Sequence, residues 1–273
     1  MKKMTRRAGK YLTIVSFFAI ALLFFSFLPA PHNNPSSSKN FVPATVAVAH
    51  LRSSIIASPD PTVETKPAAT FTFSDSPRLN LLYDSLQLAG LGLSPQAYHK
   101  AITGFLNLLA TGAIPNPGVL SIIDFSLPST QKRLFVLDTY NGKLLFNTLV
   151  AHGRNSGKVM ATRFSNRCNS LMSSLGFYVT GQTFFGQHGY SMRLEGMEKG
   201  WNNNVFSRAI IMHPAGYVSE DHIRQWGFLG RSEGCPAIPE NIDNAVIDAI
   251  RDGSCLFIYS PDKRYLHQSR LAS

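Results

Sequence analysis

Between Leu120 and Ser260 the chain presents seven β-rich segments and a single amphipathic helix, and that ratio restricts its fold more than any other feature. The segments are "LSIIDFS" (120–126), "KRLFVLDT" (132–139), "LLFNTLVAHG" (144–153), "GFYVTGQTFFG" (176–186), "YSMRLEGM" (190–197), "RAIIMHP" (208–214) and "CLFIYS" (255–260). A sheet of parallel strands needs a crossover of a dozen or more residues, usually a helix, between each pair. Helices do not alternate with strands here, so the pattern predicts a mostly antiparallel β domain with a few packed helices, an α+β arrangement. "NGK" (141–143) joins two of the segments as a hairpin of the Asn-Gly kind.

Three helices accompany the strands. In "RLNLLYDSLQLAG", Leu79, Leu82, Tyr83 and Leu86 recur at i, i+3, i+4 and i+7 and form one apolar face. "LSPQAYHKAITGFLNLLATG" opens on Ser94 as a cap with Pro95 at the first helical position and ends near Gly112. The third, "PENIDNAVIDAIRDG", puts Ile242, Ala245, Val246, Ala249 and Ile250 on one face and ends at Gly253.

The first residues read as an export segment. Lys2, Lys3, Arg6, Arg7 and Lys10 precede an uncharged apolar run, Leu12 to Leu28. Bases before such a run hold the amino terminus in the cytoplasm and send the rest across the membrane. Its length suits a long signal peptide as well as a short membrane anchor, and both alternatives stand. Residues 31–76 are rich in Pro, Ser, Thr and Asn and bury too little to order themselves, as in a tether. The formal net charge of +10 does not mark a nucleic-acid binder. With the five leading bases set aside, 21 bases face 16 acids along the chain, without an aromatic-interleaved basic stripe.

The chain has three cysteines. Cys255 lies in a strand-like apolar run and reads as core, while Cys168 is ambiguous and a 168–255 disulfide stays open. Cys235 differs, because "GRSEGCPAIP" (230–239) is a loop-like run. Pro236 drives Cys235 into an extended conformation, and Gly234 lets backbone approach a substrate closely. A thiol becomes a nucleophile only as thiolate and needs a base. His213, at the end of "RAIIMHP", precedes Cys235 by 22 residues, enough to leave one strand and return beside it. A zinc site made from His188, His213, His222 and Cys235 is the competing reading, without the tight spacing such sites use. No metal and no cofactor are called for.

Taken together, "VAHGRNSG", "FSNRCNSLMSSLGFYVTGQTFFGQHGYSMRLEGMEKGWN", "RAIIMHPAGYVS" and "GRSEGCPAIP" resemble the murein L,D-transpeptidase family with its YkuD-like catalytic domain. The resemblance implies a β-sandwich-like catalytic domain, preceded by a helical pair, that acts on peptidoglycan stem peptides through a cysteine acyl-enzyme. With the apolar run and linker read above, the chain divides into an export signal or anchor (1–30), a linker (31–76), the helical pair (77–113), the catalytic domain (114–263) and a tail (264–273), the resemblance covering about residues 78–260. The resemblance makes Cys235 the nucleophile, His213 the base and Gly234 the glycine beside the nucleophile. Ser232 matches the start of the Ser-His-Gly-Cys signature. Glu233 stands where histidine is usual, and Ala237 where an arginine often follows, so the substrate carboxylate must be met elsewhere. Arg231, Arg193 and Arg208, with His188, are the candidate substrate contacts. The leading segment and the resemblance together place the protein outside the cytoplasm, in the periplasm or cell envelope, secreted or attached to the membrane through residues 11–30 if the apolar run is kept. The alternative is a non-catalytic wall-binding module. Glu233 is expected to face away from the sulfur, and the Cys235 thiol to titrate below the free-cysteine value.

Overall fold

The computed structural model describes residues 76–273; the apolar run and the linker lie outside the described residues. Helix α1 (Ser76–Ser85) and helix α2 (Pro95–Ala110) come first. As expected, Leu79, Leu82 and Tyr83 are buried, and the Ser94 hydroxyl caps α2 by accepting from Ala97 N at 3.0 Å. Strands β1 (Val119–Asp124), β2 (Leu134–Asp138) and β3 (Lys143–Thr148) follow, then the long pair β4 (Gly176–Gly186) and β5 (Gly189–Gly196). The chain continues through β6 (Ile211–Pro214), α3 (Glu220–Trp226), β7 (Ala237–Ile238), α4 (Asp243–Ile250), β8 (Cys255–Tyr259) and α5 (Lys263–Gln268).

The eight strands form one mixed sheet in the order β3-β2-β1-β8-β4-β5-β6-β7. Most neighbours are antiparallel, as the lack of crossover helices predicts; the exceptions are β1 with β8 and β6 with β7. Beyond β3 the chain reaches the far end of the sheet, where Ala151 N donates to Ala237 O at 2.8 Å, so the sheet nearly closes into a barrel. The expected mainly β fold with packed helices is therefore present. β8 is buried at every position because it lies between β1 and β4 with α2 against it. Its Phe257 stacks on Phe177 of β4 at 4.1 Å between ring centroids.

Two local expectations are corrected. Helix α4 begins at Asp243 rather than near Pro239, and it buries Val246, Ile247 and Ile250 while Ala245 is exposed. The segment expected as a tail carries α5, which buries Tyr265; the Tyr265 and Ser269 hydroxyls donate to the buried Glu198 carboxylate. All three cysteines are free thiols, Cys168 exposed and Cys255 buried, so the 168–255 disulfide is absent.

The β6–β7 crossover frames the loop that carries Cys235. The chain leaves β6, forms α3 and returns as β7 parallel to β6, with His213 opposite Ala237. A small apolar cluster of Leu149, Ala151, Ala215, Val218, Leu229 and Ala237 packs within this crossover. Helix α3 has no counterpart in the sequence reading, since its seven residues bury no side chain and carry no apolar stripe.

Candidate active site

The loop before β7 is held from three sides. Ser232 N donates to His152 O at 3.0 Å, and Arg154 N donates to Ser232 O at 2.8 Å. Inside the loop, the Ser232 hydroxyl donates to Cys235 O at 2.6 Å and accepts from Gly234 N at 3.1 Å. The Ser173 hydroxyl donates to Gly234 O at 3.2 Å. Gly234 has φ +130°, a conformation open mainly to glycine, and a Cβ there would meet Met172 O at 2.8 Å. Gly153, from "VAHG", packs on it so closely that its own Cβ would lie 2.9 Å from Gly234 Cα. These contacts set the Cys235 backbone before any substrate arrives.

The Cys235 side chain is half-buried, with its sulfur 3.8 Å from Ala209 O. Burial pushes the thiol up from its ordinary value. The Ile211 N–H, Arg208 and the cysteine's own N–H favour the thiolate but do not outweigh burial, and the Glu233 charge adds slightly to the rise. Burial thus works against the expected drop below the free-cysteine value. Glu233 does point away, with its side chain 72% exposed and paired to Arg154 at 3.2 Å.

His213 is buried, and its Nδ1 lies 2.9 Å from Pro214 O. A carbonyl only accepts, so Nδ1 carries the proton and Nε2 presents a lone pair. Burial lowers the His213 pKa, the Pro214 contact opposes this, and His188 lowers it further. His188, exposed, stacks on the His213 ring at 4.4 Å between centroids. A neutral imidazole with a free Nε2 in the strand beside the thiol loop can act as a general base.

The structure separates the candidate arginines. Arg208 stands against the Cys235 loop: a Cβ on Gly234 would lie 3.1 Å from its Nη2. Its Nη1 donates to Ser165 O at 2.8 Å and to the Ser174 hydroxyl, and its Nη2 to Met172 O at 2.5 Å. Arg231 turns to the 154–157 loop, donating to Gly157 O at 3.2 Å. Arg193, on β5, lies over the Phe184 ring at 4.9 Å. Ser232 sets the loop conformation through both its hydroxyl contacts. Among the described residues no group of three or more His, Cys, Asp or Glu is placed to hold a metal ion.

Two groups escaped the sequence reading. Tyr217, four residues after His213, packs over Gly230; its phenol is pushed up to about 12 by burial and then by the nearby Cys235 charge. Its signal was its place in "HPAGY". The other is the fully buried Arg133, whose Nε and Nη2 donate to Val150 O at 3.1 and 2.9 Å. Its Nη2 also lies 2.8 Å from His152 Nδ1 and its Nη1 donates to Leu127 O at 3.0 Å. A lone arginine between two strand residues carries no sequence signal for such a role.

His152 is held neutral, its pKa lowered to about 3 by burial and by the Arg133 charge. Between the ordinary 6.5 and about 3 the unfolded chain binds a proton that the folded one does not. The stability this group contributes is complete above pH 6.5 and lost as pH falls toward 3. Lowering the pH from 7 to 5 should cost about 2 kcal/mol through this group. Urea unfolding at both values tests it: the His152→Asn variant should lose less, and an equal loss would refute the assignment.

A family profile described as the L,D-transpeptidase catalytic domain matches residues 90–259, more than half of the chain. The protein therefore belongs to the L,D-transpeptidase catalytic-domain family. A search of curated proteins finds no match. Among solved structures it is similar to an L,D-transpeptidase from Mycobacterium smegmatis, at 12% identity over 52% of this chain and 59% of that one, with TM-score 0.33. L,D-transpeptidase 3 from Mycobacterium tuberculosis gives 12% identity over 52% and 61%, with TM-score 0.32. The helical cell shape determining protein Pgp2 from Campylobacter jejuni gives 14% over 53% and 48%, with TM-score 0.33. The chain thus spans about three-fifths of the length of the first of these proteins.

Proposed function

We propose that the protein is an exported cysteine L,D-transpeptidase acting on peptidoglycan stem peptides. The reading rests above all on the parallel β6–β7 pairing, which sets His213 opposite Ala237, two residues from Cys235, with its Nδ1 proton directed to Pro214 O. In this reading the thiol gives its proton to His213 Nε2 as the sulfur attacks the carbonyl of the third stem residue. His213 returns that proton to the nitrogen of the departing D-alanine, leaving a thioester on Cys235. An amine of a neighbouring stem then resolves the thioester into a crosslink, or water resolves it into a trimmed stem, an L,D-carboxypeptidase outcome. The Cys235 N–H is the oxyanion donor of this reading. Gly234 N–H is unsuited, being bonded to Ser232. Arg208, which stands against the Gly234 backbone, meets the donor carboxylate by charge.

Export and an envelope location belong to this proposal, carried by residues 1–30 and by the peptidoglycan substrate. No helix among the described residues is long and apolar enough to cross a membrane. Incubation of the full chain with disaccharide tetrapeptide, followed by mass spectrometry, tests the reading. The expected products are disaccharide tripeptide, a 3-3 dimer, and a transient adduct on Cys235. Absence of all three would overturn it.

A further inference from the structure

The two ends of β6 carry opposite charge. Arg208 stands just before the strand, against the Gly234–Cys235 backbone. Beyond its other end, roughly 10 Å away at strand rise, a cleft of about 560 Å³ opens, lined by His188, Gly189, Pro214, Tyr217, Glu240 and Asp243. The cleft shares two walls with the reaction centre. His188 is stacked directly on His213, and Tyr217 lies against the Gly230 end of the nucleophile loop. The Glu240 carboxylate overhangs the turn after His213: a Cβ on Gly216 would meet its two oxygens at 3.3 and 3.4 Å. Lys132 lines the neighbouring depression that Glu240 also borders, but among the described residues no cation stands within ion-pair distance of Glu240.

We propose that this cleft is the entry site of the second substrate, a peptide-borne ammonium group, and that Glu240 is the residue that selects it. The inference rests on the transpeptidase reading and adds to it the direction and charge of the acceptor. The donor stem leaves a carboxylate-bearing amino acid, which suits the Arg208 end of β6. The acceptor must arrive as a cation at neutral pH, which suits the Glu240 end. Complementary charge at each end also disfavours reversed binding, since each substrate would then meet a like charge.

The chemistry balances without a co-reactant. The acceptor ammonium loses one proton to water in the open cleft. Its nitrogen then attacks the thioester carbonyl, forming the C–N bond as the C–S bond breaks. The remaining extra proton passes to His213 Nε2 and from there to the departing sulfur, restoring the neutral thiol and imidazole. Water takes the same path without using Glu240, so the carboxylate should set how the acyl-enzyme divides between amine and water.

That division is a ratio of two products of one intermediate and does not depend on how much of a variant is folded. With the full chain and disaccharide tetrapeptide as both donor and acceptor, Glu240→Gln should lower the 3-3 dimer to tripeptide ratio about fivefold at low salt, and Glu240→Lys by roughly tenfold or more. The loss should shrink at high salt, because an exposed charge pair is screened. If the Cys235 adduct forms and the ratio is the same in wild type and both variants, the acceptor assignment is wrong while the transpeptidase reading survives. If the wild-type chain forms no adduct, both fall.

Discussion

The Cys235→Ser variant is expected to form neither tripeptide nor dimer, a loss of at least about 10⁴-fold in turnover, while unfolding at an unchanged urea midpoint. The size of the effect follows from the site's electrostatics. His213 is neutral, with its free Nε2 as the only base in the reading, and burial already lifts the cysteine thiol above its ordinary value. A serine hydroxyl in the same place would be harder still to deprotonate, and nothing else nearby compensates. His213→Ala should lower turnover by about 10²–10⁴-fold, the usual range for a lost general base. The rate of Cys235 alkylation against pH should have its midpoint above the free-thiol value of about 8.5. Glu233→Gln should move that midpoint only slightly, since the carboxylate is solvated and paired with Arg154. A wild-type midpoint well below 8.5, or substantial turnover in Cys235→Ser, would contradict this account.

The second large effect concerns stability. Arg133→Met should cost about 3–5 kcal/mol of unfolding free energy at pH 7, the range for breaking a buried charge network by removing one partner. The arginine is fully buried and donates to the carbonyls of Val150 and Leu127 as well as facing His152 Nδ1. Methionine replaces the side-chain volume but leaves those acceptors unsatisfied, and it leaves the buried Asp124 without the positive charge that favours its ionised form. The damage should extend to the candidate site, because His152 O receives Ser232 N–H from the Cys235 loop. Urea denaturation of the full chain measures the effect; a loss below about 1 kcal/mol would show that the network is not needed.

Both predictions depend on residues of unequal visibility in the sequence. Local order was legible: the apolar face of α1, the Ser94–Pro95 start of α2, the run of strands and the hairpin at Asn141-Gly142 all follow from periodicity and backbone preference within a few residues. The place of Gly234 was legible for the same reason, since its φ of +130° is one that glycine adopts readily. The order of His213 and Cys235, with a gap long enough for a return strand, also foretold the β6–β7 neighbourhood.

Tertiary structure decided the rest. The parallel pairing of β1 with β8 joins strands more than a hundred residues apart, and no local pattern encodes such a partner. Three arginines were equal candidates in the sequence, and only the fold of the 165–174 segment holds Arg208, rather than Arg193 or Arg231, against the Gly234 backbone. Helix α4 turns Ile247 inward and leaves Ala245 exposed, a rotation about its axis set by its packing on β1, β5 and β6. The burial that pushes the Cys235 thiol up is hidden from the sequence for a related reason. Hydrogen-bond donors can be inferred near a residue, but desolvation depends on every atom that excludes water from the sulfur, and that is a property of the packed molecule.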